Sequence, residues 1–155
     1  MTEAVHDSVA VDAPADVVWD LISDITRMPE WSPELTRATW LKGARAPVVG
    51  AKFKGRNGNK GRTWSTICTV TAAETGRLFS YRVTSFGLPV ADWIYEIRPH
   101  ASGCALTEST IDRRGALVRT LGGPVTGVHD RASHNLDGIR KTLASIKAVA
   151  EGPGL

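Results

Sequence analysis

The sequence predicts an α+β domain in which a curved antiparallel sheet of about seven strands wraps around one long C-terminal helix. Three observations carry this expectation. Residues 35–112 hold six runs of alternating character separated by short turn signals. Val125, Val128, Ala132, Leu136, Ile139, Leu143 and Ile146 recur at steps of three and four, one apolar stripe along a helix. Finally, 155 residues suit one domain with one core, spanning 1–155.

The elements follow in order. Residues 3–11 read as a first strand, with Val5, Val9 and Val11 on one face. Asp12-Ala13-Pro14 reads as a helix start with a capping acid, and Val18, Leu21, Ile22 and Ile25 form the stripe behind it. A second short helix from Thr26 must stop before Pro33, because the residue before a proline disfavours helical geometry.

Strand runs then cover 35–42, 50–56, 62–73, 77–86, 90–98 and 104–112. Asn57-Gly58 is read as the tight turn after the second of these, and Gly87-Leu88-Pro89 as the break before the fifth. Short connections favour neighbouring antiparallel strands. Gly122-Gly123-Pro124 interrupts a segment over 115–121, so the long helix is expected to restart at Pro124. The order is β-α-α-β6-α. Only the last helix is long enough to cover the sheet, and the space it leaves must hold large side chains or a cavity.

A composition of 42% hydrophobic and 23% charged residues argues for a globular chain and against disorder. No stretch approaches the roughly 20 apolar residues of a membrane span. The N-terminal residues lack the basic flank and apolar run of a signal peptide, so the expected compartment is the cytoplasm. Cys68 and Cys104 form no CxxC pair and read as small semi-buried residues. The oligomeric state is open between monomer and homodimer.

The net charge of +3 is unevenly spread. Eight of the sixteen acids precede residue 35, and none lies in 35–73, which holds Arg37, Lys42, Arg45, Lys52, Lys54, Arg56, Lys60 and Arg62. This basic 37–62 stretch is either a solvated face opposite an acidic one or a surface for an anionic partner. The aromatic interleaving of single-strand binders is limited to Trp40, Phe53 and Trp64, which argues against nucleic acid.

The chain also resembles a known family. Val9-Ala10-Val11-Asp12-Ala13-Pro14, then Val17-Val18-Trp19, Asp24 and Trp31-Ser32-Pro33 carry the N-terminal part. Trp93-Ile94-Tyr95-Glu96-Ile97, Gly103, Leu106-Thr107-Glu108 and Leu143-Ala144-Ser145-Ile146-Lys147 carry the rest. They resemble the START-like (SRPBCC) superfamily, in its bacterial polyketide cyclase/dehydrase-like branch related to Bet v 1. The resemblance implies a helix-grip fold around a hydrophobic-ligand cavity. It does not choose among carriers, aromatase/cyclases and other roles.

Strand parity gives a candidate lining: Trp64 with Thr66, Cys68 and Val70; Phe79, Tyr81 and Val83; Trp93, Tyr95 and Ile97; Leu106, Glu108 and Thr110. The expected ligand-binding set is Trp64, Phe79, Tyr81, Trp93, Tyr95, Glu108, Val125 and His129. Plain core packing is the alternative. If Leu106 faces inward, so does Glu108, and a buried carboxylate must be paired or protonated. It either pairs with Arg82, Arg98 or another arginine, or it orients a ligand hydroxyl or acts as a general base. Asp112 shares its parity. Glu108, Tyr95 and His129 are the catalytic candidates.

His129 and His134, five residues apart, stand roughly 140° apart on a helix and cannot share a metal. Gly55, Gly58 and Gly61 precede a strand, not a helix, and so make no phosphate loop. No metal and no cofactor is expected. The leading expectation is binding of a small hydrophobic molecule (lipid, polyketide or aromatic metabolite). The alternatives are a metal-free cyclase/dehydratase using the same cavity, and an interaction module using the basic stretch.

Overall fold

The computed structural model describes residues 4–152. Seven strands form one antiparallel sheet in the order β1-β7-β6-β5-β4-β3-β2. They are β1 (Ala4–Val11), β2 (Leu35–Trp40), β3 (Lys52–Asn59), β4 (Arg62–Glu74), β5 (Leu78–Ser85), β6 (Leu88–His100) and β7 (Gly103–Asp112). Helix α1 (Ala15–Ile22) and a 3-10 helix (Ile25–Glu30) separate β1 from β2. Helices α2 (Ala116–Thr126) and α3 (Arg131–Glu151) close the chain. The antiparallel sheet with a long C-terminal helix packed against it is the helix-grip arrangement, as expected.

The expected order of elements holds up to β7, after which two helices follow instead of one, and four boundaries need correction. Pro14, not Asp12, occupies the N-cap position of α1, and the Asp12 backbone N–H donates instead to Glu151. Strand β3 runs through Asn57-Gly58, so the turn falls at Lys60-Gly61. Both of these residues take positive φ (50° and 82°), the geometry of a tight hairpin turn. The next such turn is Phe86-Gly87 (51° and 76°), and Leu88-Pro89 already belongs to β6. Leu88 and Pro89 pair with Ser85 and Thr84, and the register shifts beside them.

The last correction concerns the long helix. It starts at Arg131, not at Pro124. Pro124 lies inside α2, which ends at Gly127 in a left-handed conformation, and the Asp130 side chain then caps α3 by accepting from Ser133 N–H. Val125 and Val128 therefore leave the stripe. Ile139, Thr142, Leu143 and Ile146 are the buried residues of α3.

Helix α3 packs along β1 and β7 and against α1, while α2 crosses to β4. The core joins Val18 and Ile22 of α1, Ile25, Phe53, Val70, Phe79, Leu106, Ile139 and Ile146, all at most 1% exposed. Aromatic contacts run through it, edge-on except for the tilted Phe79–Tyr81 pair. Trp40 meets Phe53 at 5.7 Å between centroids, Phe53 meets Tyr81 at 5.1 Å, Tyr81 meets Phe79 at 5.8 Å, and Phe79 meets Trp19 at 6.3 Å. Gly103 is required where β7 begins, since a Cβ there would lie 2.2 Å from the Val11 carbonyl oxygen. No helix of the described residues is long and apolar enough to cross a membrane.

Candidate functional site

The strand register builds the site row by row. Glu108 stands opposite Tyr95, which stands opposite Phe79. One row along, Thr110 opposes Trp93, which opposes Tyr81, which opposes Val70. Opposed antiparallel residues share a face, so these side chains converge on the concave side. Phe79, Tyr81, Tyr95 and Glu108 are buried there, and Trp64 and Trp93 are half-buried.

Glu108 is the anomaly of this face. It is 3% exposed, and its Oε1 has no hydrogen-bond partner. Burial pushes its carboxyl up to about 8, and a hydrogen bond from Tyr95 pulls weakly the other way. Burial and the nearby Glu108 in turn hold the Tyr95 and Tyr81 phenols well above their usual range. Cys68, in the same cluster, is pushed up to about 12 by burial and carries no thiolate near neutral pH. The group therefore offers two neutral phenols and one protonated carboxyl in apolar surroundings.

The arginine pairing considered for Glu108 does not form. Arg82 makes a two-pronged ion pair with Asp92, and Arg98 is exposed. Asp112 is held below its ordinary value by Arg114 and Arg119 despite its partial burial. It does not join Glu108 as a second protonated acid.

Val125 and His129 are not brought to this cluster. Val125 is 50% exposed on α2. His129 is exposed in the α2–α3 connection, its ring packed so closely on Gly123 that a Cβ there would lie 2.7 Å from Nδ1. The early end of α2, at Gly127, accounts for both.

Two open grooves lie elsewhere. One of about 350 Å³ runs between β1 and α3, lined by Val9, Arg140, Leu143, Ala144 and Lys147 among others. The other, of about 560 Å³, lies beside the 3-10 helix around Trp31, Pro33 and Lys141. The aromatic cluster lines neither. The β3–β4 and β5–β6 turns and the last residue of β7 lie at one end of the sheet, where α2 crosses to β4.

Sequence reasoning missed two carboxylates that bridge distant parts of the fold. Glu34, just before β2, receives both Arg131 and His134 of α3, at 2.9 Å and 3.0 Å. Asp7 of β1 receives Arg140. Partners 97 to 133 residues apart leave no local signal. The buried role of Phe53 did have a signal: it alternates with Lys52 and Lys54. Among the described residues no group of three or more His, Cys, Asp or Glu could hold a metal ion.

Comparison with known proteins is consistent with this geometry. A family model described as polyketide cyclase / dehydrase and lipid transport matches residues 2–151. A polyketide-cyclase-like protein of Corynebacterium glutamicum, solved by NMR, is 35% identical, with 97% of this chain and 93% of that one covered and a TM-score of 0.67. A di-domain aromatase/cyclase of the steffimycin biosynthetic pathway shares the fold at 17% identity (TM-score 0.75, 97% of this chain, 52% of that one). So does major latex-like protein 151 of Panax ginseng at 14% identity (TM-score 0.72, 96% and 97% covered). No curated protein sequence matches the chain.

Proposed function

The chain belongs to the polyketide cyclase/dehydrase and lipid transport family, and on that premise we propose that it binds a small hydrophobic molecule carrying a hydroxyl or carbonyl group, between the concave face of the sheet and helices α2 and α3. The observation that carries this reading is the unpartnered, buried Oε1 of Glu108 among Tyr81, Tyr95 and Phe79. An orphaned polar atom in an apolar interior costs about 1–3 kcal/mol, which a ligand hydrogen bond would recover. The aromatic faces supply apolar area and Glu108 supplies direction, the usual division of labour in a small-molecule site.

Entry is at the end crossed by α2. The packed side of that helix presents Gly123 and Thr126, small residues that give way at little cost in buried apolar area. Trp64 and Trp93, half-buried, sit toward that end of the face.

A second reading is favoured by the same carboxyl. Held near 8, Glu108 is protonated at neutral pH yet able to give up its proton, and Tyr95 lies beside it. That is the condition for general acid–base work in a cyclase or dehydratase, where holding a substrate in a reactive geometry contributes much of the rate.

The test is binding of 2-naphthol against naphthalene, followed by tryptophan fluorescence. The proposal expects wild type to prefer the hydroxylated ring by about tenfold, the worth of one hydrogen bond to a buried group. It expects Glu108→Ala to abolish the preference. Equal affinity of wild type for both rings overturns it.

A further inference from the structure

Helix α2 is mounted with its apolar side outward. Leu117, Leu121 and Val125 recur at four-residue steps and are 62%, 55% and 50% exposed. The side turned to the protein offers Gly123 and Thr126 instead. A helix recruited to cover a core shows the reverse arrangement.

A second apolar feature lies at the same end of the sheet. Phe86 stands at the tip of the β5–β6 hairpin, fully exposed, and Leu88 beside it is 41% exposed. Phe86 takes φ 51°, where turn chemistry favours glycine or asparagine, so neither burial nor the turn accounts for a phenylalanine here.

The charge around these groups is positive. Lys60 and Arg62 flank the β3–β4 turn, where Arg62 donates to the Pro124 carbonyl of α2, and neither pairs with an acid among the described residues. At the other end of α2, Asp112 is shared by Arg114 and Arg119, and on the opposite face of the sheet Asp92 is shared by Arg82 and Arg113. Each cluster keeps one positive charge.

We propose that the outward face of α2, together with the β5–β6 turn, docks on an anionic lipid bilayer surface. Aliphatic and aromatic side chains insert at the headgroup boundary, and the cations at both ends of the helix meet anionic headgroups. Charge decides between a bilayer and a second copy of this chain. Both ends of the stripe are basic, so two copies meeting through it set positive against positive in either orientation. This inference does not depend on what the interior binds.

The test is cosedimentation of the full chain with phosphatidylcholine vesicles, alone or containing about three parts in ten phosphatidylglycerol. Wild type is expected to partition onto the anionic vesicles at low salt and to be released by salt. Leu121→Glu and Phe86→Ser, both at exposed positions, are expected to keep the wild-type circular dichroism and melting temperature. Each should weaken partitioning by about tenfold. Lys60→Gln should weaken it on anionic vesicles only. Three results overturn the proposal: no partitioning of wild type, partitioning unchanged by Leu121→Glu, or a concentration-dependent dimer abolished by Leu121→Glu with no vesicle binding.

Discussion

Tyr95 and Glu108 stand directly opposite one another on β6 and β7, and both are buried to within 3%. Asp7 stands opposite Glu108 on its other side. The two carboxylates on adjacent strands differ in what meets them. Asp7, at the sheet edge, accepts from the Ser8 backbone N–H and meets Arg140, and these hold it below its ordinary value. Glu108, one strand further in, meets a phenol and no cation. The edge acid is a fastening between sheet and helix, and the inner one is a buried acid that keeps its proton at neutral pH.

That contrast sets a pH dependence of folding. The Glu108 carboxyl titrates near 4.5 in the unfolded chain and near 8 in the folded protein. Between these values the native state keeps a proton that the unfolded chain has lost, so stability declines as pH rises, by at most about 1.4 kcal/mol per pH unit. The contribution is complete below 4.5 and stops changing above 8. Urea denaturation at successive pH values should show this slope, and Glu108→Gln should flatten it. Tyr95→Phe removes the hydrogen bond favouring the ionised form and should extend the decline to higher pH.

Gly103→Ala should cost roughly 2–3 kcal/mol, because the new Cβ meets the Val11 carbonyl oxygen at 2.2 Å and must push β1 from β7. For a domain of this size that corresponds to a melting temperature lower by roughly 5–10 °C. Gly43→Ala is the control: φ is also positive there, but nothing lies within 4 Å, so only the smaller backbone strain remains.

Phe53→Ala should be among the most damaging single changes, at about 3–5 kcal/mol in chemical denaturation. The ring is 1% exposed and touches both Trp40 and Tyr81, so its loss opens a hole between β2 and the centre of the sheet.

Glu34→Gln should cost about 1–2 kcal/mol, since it takes the charge from a carboxylate that fastens the start of α3 to the β2 edge through Arg131 and His134. Hydrogen exchange should rise in the first turns of α3 and stay unchanged in β6 and β7.

Much of this architecture was legible locally. The alternation over 62–73 and 104–112 placed β4 and β7 to within a residue, because a half-buried strand must alternate. The parity of Leu106 carried Glu108 to the interior correctly. The turns were less legible. Asn57-Gly58 has the stronger turn preference, yet the pairing of β3 with β4 carries it into the strand, and Lys60-Gly61 turns instead. The break between α2 and α3 was hidden because Val125 and Val128 continue a helical stripe across a left-handed glycine, Gly127. His129 and Val125 left the candidate site for that reason. The clamp on Glu34 depends on tertiary proximity alone.

The central claim is that the concave face around Glu108 and Tyr95, and not the β1–α3 groove, receives the ligand. Titration of 2-naphthol into wild type, Glu108→Ala and Leu143→Ser, read by tryptophan fluorescence and by nuclear magnetic resonance of the tryptophan indoles, tests it most directly. The account predicts perturbed Trp93 and Trp64 indoles, and an affinity about tenfold lower in Glu108→Ala. Binding that leaves those indoles unmoved, survives Glu108→Ala and disappears in Leu143→Ser would contradict it and assign the ligand to the groove.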